Sequence, residues 1–153
     1  MLGLFRRKPV SYFSEAEKAQ IQAAIQEAEK ATSGEIRVFI ESRCRFVDPV
    51  WRARELFPKL RMHATASRNG VLVYLAMQDR QLAVYGDEGI HQKVGDAFWN
   101  ASVQQMLQHF NKQNYTAGLC GIILEIGQAL SMHFPYDPDT DTNELPDEIV
   151  FGK

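Results

Sequence analysis

Residues 68–90, RNGVLVYLAMQDRQLAVYGDEGI, decide how the rest of the chain is arranged. Arg68-Asn69-Gly70 is a turn signal, because Asn and Gly tolerate positive φ. Val71 to Met77 is almost wholly apolar, as expected of a strand covered on both faces. Gln78-Asp79-Arg80 is short and polar, and Gln81 to Tyr85 resumes strand composition, so the two runs predict a β-hairpin. A hairpin doubles back, so Gly86-Asp87-Glu88-Gly89 must return to the end where Asn69 and Gly70 sit. That end is the candidate site.

Working outward, Ser14-Glu15-Ala16-Glu17 fits a capping box, and Ile21, Ala24, Ile25 and Ala28 follow at helical spacing. Gly34 stops that helix. Glu35 to Glu41 predicts the first strand, with Ile36, Val38 and Ile40 on one side and Phe39 on the other. Asp48-Pro49 starts a second helix, Asp as cap and Pro at the first helical position, with Pro58 expected to kink or break it near the middle. Strand, helix, strand makes a right-handed βαβ unit with parallel strands, and the third strand runs antiparallel to the second. After Gly89 the chain turns helical, with a phase change near Asn100. A last helix covers about Tyr115 to Met132, and Gly118, Gly121 and Gly127 within it predict close approach to a sheet. Helices before, between and after three strands need both sheet faces. The fold class is therefore α/β, a three-layer α/β/α sandwich around a mixed β-sheet. It spans residues 14–133, with an extension over 1–13 and an acidic tail over 134–153.

The 153 residues suffice for one domain with a sizeable core. A hydrophobic content of 45% with 24% charged residues is ordinary for a soluble protein, and a net charge of −2 argues against nucleic-acid binding. The charge is uneven: Arg43 to Arg68 is rich in arginine, whereas the tail carries Asp137, Asp139, Asp141, Glu144, Asp147 and Glu148. Cys44 and Cys120 are the only cysteines and form no ligand spacing, which suits a reducing compartment. No window reaches the roughly 20 apolar residues of a membrane span, and the first residues lack a signal-peptide core. The expected location is cytoplasmic.

Thr32-Ser33-Gly34-Glu35-Ile36, Arg68-Asn69-Gly70-Val71-Leu72 and Gly86-Asp87-Glu88-Gly89 together resemble the landmarks of the TPM domain family. That family includes thylakoid-lumen and photosystem II repair proteins. Its pattern is roughly T-G-x-I, D-N-G-V-L and a Gly-rich turn ending Glu-Gly, and the resemblance covers about Ser14 to Met132. It implies an α/β/α sandwich, divalent-cation binding, and acid phosphatase activity in some members, many of them carrying a membrane anchor. This chain shows no anchor, which implies a soluble short form. Arg68 stands where the family usually has Asp, so a cation replaces a carboxylate ligand.

The parallel topology places Ser33, Gly34 and Glu35 beside Asn69 and Gly70, and the third strand delivers Asp87 and Glu88 to the same edge. Asp96 lies early in the next helix. Glu35, Asn69, Asp87, Glu88 and Asp96 offer the oxygen ligands that Ca²⁺ or Mg²⁺ prefers. The same acids also read as helix chemistry, Asp87 as a cap and Glu88 as a first-turn acid, and Arg68 is able to pair with Glu88. In the tail, Asp137, Asp139, Asp141 and Glu148 match positions of a calcium loop. However, Thr142 replaces its glycine and Pro146 interrupts it. Asp139-Thr140-Asp141 mimics an aspartyl-phosphatase signature without a buried strand before it. The four histidines lack zinc spacing, and no nucleophile motif names a catalytic residue. The arginines around the second helix read as a solvated basic face or a phosphate site. These residues predict a non-enzymatic binding or accessory domain that takes a divalent cation at the sheet edge, open to an unidentified protein partner. A metal-dependent acid phosphatase acting on phosphomonoesters is the alternative.

Overall fold

The computed structural model of the chain describes residues 12–44, 48–111, 114–139, 145–146 and 149–152. Ser14 opens α1 (Glu15–Glu29) with the expected capping box: Glu17 N–H donates to Ser14 Oγ at 3.1 Å, and Ser14 N–H donates to Glu17 Oε1 at 2.9 Å. The chain continues through β1 (Glu35–Glu41), α2 (Pro49–Lys59), β2 (Gly70–Ala76) and β3 (Gln81–Gly86). It ends with α3 (Glu88–Asn111), α4 (Tyr115–His133) and a short β4 (Val150–Phe151).

The sheet order is β3-β2-β1-β4, with β1 parallel to β2 and β4, and β3 antiparallel to β2. Ile36, Val38, Ile40, Val71, Val73 and Leu75 point to one face and meet α1, α3 and α4. Phe39, Leu72, Tyr74 and Ala83 point to the other and meet Ala53, Leu56 and Phe57 of α2. This is the three-layer α/β/α sandwich around a mixed sheet. β1 and β2 are buried along their whole length, which explains their near-continuous apolar composition.

Several local expectations are corrected. Pro58 lies in the last turn of α2 rather than its middle; it has no N–H for the helical bond to residue 54, and the helix ends one residue later. The break after Gly89 falls at Gly95, which takes φ 74°, not at Asn100. In the turn before β2 the left-handed residue is Arg68, at φ 50°, while Gly70 is already in the strand. The glycines of α4 face helices, not the sheet: a Cβ on Gly118 would stand 2.6 Å from His109 Cβ, and one on Gly127 would stand 2.6 Å from Ala28 Cβ, while Gly121 faces open space. Among the described residues after His133, Pro135 bridges to Thr32 and Val150–Phe151 add a fourth strand beside β1.

By length and composition α4 is apolar enough to cross a membrane. In this fold it packs against α1 and α3, with Leu119, Ile122, Ile123, Ile126 and Leu130 buried.

Candidate functional site

Register brings the expected corner together. Glu35 lies opposite Gly70 and Val71 opposite Gly86, so the starts of β1 and β2 meet the end of β3. Asp87 N–H donates to the Gly70 carbonyl at 2.9 Å, and Gly89 N–H donates to the Arg68 carbonyl at 2.8 Å. Gly89 must be glycine here, since a Cβ would collide with the Ser67 and Arg68 carbonyl oxygens.

The centre of the corner is an ion pair. Arg68 donates from Nε to Asp87 Oδ2 at 2.7 Å and from Nη2 to Asp87 Oδ1 at 2.9 Å, a bidentate fork. Asp87 is only 5% exposed. Its Oδ1 also accepts from Glu88 N–H at 2.8 Å, and its carbonyl takes a helical bond from His91 N–H. Asp87 therefore pairs with the Arg68 guanidinium and also accepts from the first amide of α3. Arg68 Nη1 reaches Glu88 Oε1 at 3.4 Å. Hydrogen bonding from the guanidinium to Asp87, reinforced by that carboxylate's charge, raises the Arg68 pKa further above its ordinary value.

The five expected cation ligands do not converge as a set. Asp87 and Glu88 hold Arg68. Glu35 is buried on the α2 side of the sheet, where its Oε1 accepts from Leu145 N–H at 2.6 Å. Asn69 is 1% exposed and donates from Nδ2 to Ser33 Oγ at 3.2 Å, and its Oδ1 meets no partner among the described residues. Asp96 stands in solvent, 3.6 Å from His91 Nε2. Among the described residues no group of three or more His, Cys, Asp or Glu side chains is arranged to hold a metal ion. The donor set does not fit Ca²⁺ or Mg²⁺ as it stands, since both oxygens of its central carboxylate face a guanidinium.

The basic stretch is also partly consumed inside the molecule. Arg52 donates from Nε to Glu41 Oε2 at 2.8 Å and from Nη2 to Oε1 at 3.0 Å, and Tyr74 hydroxyl donates to the same carboxylate. Outside that stretch, Arg37 of β1 donates from Nη1 to the Leu60 carbonyl at 3.3 Å. Hydrogen bonding to Glu41 raises the Arg52 pKa, and burial raises that of Tyr74. In the tail, Asp139 N–H donates to Asp137 Oδ1, an Asx turn, while Asp141 and Glu148 lie outside the described residues.

A cleft of about 790 Å³ runs from this corner along β3, between α2 and α3. Asp87, Glu88, Arg68 and Asp96 stand on it, with His91 and Trp99, whereas Glu35 and Asn69 do not line it. Trp99 Nε1 donates to His91 Nδ1 at 3.0 Å. A sequence reading that followed carboxylates passed over Trp99. Its signal was an aromatic after the helix-breaking Gly95, placed opposite Gly86, whose missing Cβ makes room for the indole.

Residues 7–129 match the TPM domain family. The chain belongs to that family. Its fold is similar to the NMR structure of BA42 from the psychrophilic bacterium Bizionia argentinensis, with 39% identity over 95% of this chain and 99% of that one, and a TM-score of 0.85. Two solution structures share the fold at lower identity. The N-terminal domain of cg2496 from Corynebacterium glutamicum is 21% identical over 77% of this chain and 74% of that one, with a TM-score of 0.59. The N-terminal domain of a P. gingivalis protein is 17% identical over 83% of each chain, with a TM-score of 0.60. Comparison with curated proteins gives no match. Within the TPM fold, Arg68 and Asp87 hold the corner where β2 begins and β3 ends.

Proposed function

We propose that this TPM domain is a non-enzymatic accessory domain that binds a partner protein, and that the Arg68 guanidinium fills the place of a cation at its sheet edge. The bidentate Arg68–Asp87 pair carries this reading. It satisfies a buried carboxylate from within the chain, so the corner is held without an added ion. Position 68 sits at φ 50°, a conformation that Asp adopts more readily than Arg. Arg68→Asp is therefore compatible with the backbone and restores an acid of the kind the family carries.

Calorimetric titration of Ca²⁺ and Mg²⁺ into both proteins tests the reading. The parent is expected to show no saturable binding at the corner. Arg68→Asp exchanges repulsion for attraction. Opposite charges about 4 Å apart at an effective dielectric near 20 interact by roughly 4 kcal/mol, and a third of that is about tenfold in affinity. The variant should bind Ca²⁺ at least that much more tightly. Saturable binding by the parent, with amide shifts at Asp87 and Glu88, would overturn the assignment. The phosphatase alternative needs a metal-activated water at these carboxylates. Hydrolysis of p-nitrophenyl phosphate that is lost in Asp87→Asn and Glu88→Gln would establish it instead.

A further inference from the structure

We infer that the cleft beside β3 is a peptide-binding groove, which takes an extended segment of a partner protein as a fifth strand of the sheet. This deepens the reading of the chain as a binding domain and rests on it. β3 ends the sheet, so among the described residues one side of its backbone has no neighbouring strand. The bond from Asp87 N–H to the Gly70 carbonyl fixes the phase of the antiparallel ladder. Tyr85, Ala83 and Gln81 face β2, and the N–H and carbonyl groups of Gly86, Val84 and Leu82 face the cleft. Among the described residues nothing bonds these outward groups across the cleft. Such an edge is a template for strand addition, in which main-chain bonds give affinity and flanking pockets give selectivity.

The walls favour a single strand over a second sheet. Leu82, Ala83 and Val84 are buried although they sit on an edge strand, because α2 and α3 overhang it from either side. Such walls suit a single extended segment, whereas a second copy would bring its own helices against them. Pro49, Val50, Trp99 and Val103 give the walls apolar patches, set among Asp48 and Arg54 on one side and Asn100 and Gln104 on the other. At the Gly86 end the side chains of Glu88 and Asp96 are 64% and 88% exposed, while the Arg68 cation is already engaged by Asp87. The occupant that complements these features has apolar side chains at alternate positions and a basic residue at the Gly86 end. Antiparallel pairing, the slightly more stable arrangement, puts that basic residue at the N-terminal end of the segment.

The probe is the capped peptide Arg-Val-Thr-Val-Thr-Val-Ser, titrated into the full chain labelled with ¹⁵N. Saturable shifts and slowed hydrogen exchange are expected at the Leu82, Val84 and Gly86 amides, with a dissociation constant below about 1 mM. The Ala83 and Tyr85 amides, already bonded to β2, should change less. Two peptides N-methylated at alternate residues, in opposite phases, supply a readout that mere hydrophobic contact would not give. One phase should abolish binding and the other should leave it within about threefold. Asp96→Lys, on an exposed side chain, should weaken binding by roughly threefold to tenfold at low salt. Three results would overturn the proposal: no saturable shift along β3, equal effects of the two methylation phases, or burial of the same amides by self-association in sedimentation without peptide. The cation titrations report on different atoms, so failure here leaves the assignment of Arg68 standing.

Discussion

Arg52 and Arg54 sit two positions apart on one helix and have opposite fates. Arg52 faces the sheet and neutralises Glu41, which is buried at 6% exposure and also accepts from the Tyr74 hydroxyl. Arg54 is exposed and lies 5.8 Å from the Trp51 ring. Removing one partner of a buried pair leaves an uncompensated charge, so Arg52→Ala should cost about 3 kcal/mol, whereas Arg54→Ala should stay within about 0.5 kcal/mol. Urea unfolding of both variants checks this, and equal effects would show that Glu41 finds another partner or water. The contrast also marks where sequence reading stops. Both arginines belong to one basic run, and nothing in the run itself says which of them turns inward. That depends on Glu41 being on the α2 face of a strand buried on both sides, and alternation alone presents Glu41 as a solvated strand end. The same limit applies at the corner. Asp87 and Glu88 were legible as acids brought back to Asn69 by a hairpin, but the inward turn of Glu35 toward Leu145 depends on a distant segment.

Among the elements, α1 and α4 show how local chemistry and packing set different kinds of stability. Glu17 closes the capping box at the start of α1 and accepts from the Thr116 hydroxyl of α4 at 2.7 Å. These bonds, the Ser14 N–H first, lower its pKa below the ordinary 4.5. A lowered folded value means this contribution is present above the unfolded pKa and lost as pH falls through the folded one. Glu17→Gln should therefore flatten the loss of thermal stability below about pH 4.5, with little change in slope near neutrality. A variant with the parent's acid slope would show that Glu17 is not the group responsible. In α4, two glycines that look alike in the sequence should respond in opposite directions. Gly121→Ala fills open space and should stabilise by about 1 kcal/mol through helix propensity. Gly127→Ala would put a Cβ 2.9 Å from Ala28 Cα and 3.0 Å from its carbonyl oxygen, and should destabilise by about 1–3 kcal/mol. Thermal unfolding of the pair decides whether α1 and α4 are as closely packed as the geometry gives.

At the scale of the molecule, the hairpin and the βαβ unit were readable because their apolar runs are continuous and their turns carry distinctive residues. β4 was not, because two residues cannot show a period and the segment before them is acidic and rich in Pro and Asp. Its place in the sheet comes from what β1 offers: a parallel edge at Phe39 and Ile40. This strand covers the Phe39–Ile40 part of the sheet edge opposite the groove, and Gly152 N–H donates to the Ile40 carbonyl at 2.8 Å. Leu145 and Ile149 are buried with it, one on each face of the sheet. Deleting residues 135–153 would remove those side chains, worth roughly 1.5–3 kcal/mol each before the entropy of ordering the segment is subtracted. It would also leave Glu35 without its Leu145 donor and bare the edge of β1. The truncated chain should lose about 2–4 kcal/mol in urea unfolding and should associate with rising concentration, since uncovering Phe39 and Ile40 extends the unpaired, apolar edge of β1. Sedimentation velocity over a concentration series separates the two effects. A truncated chain that stays monomeric with parental stability would mean that the terminal segment lies on the sandwich without sealing its edge.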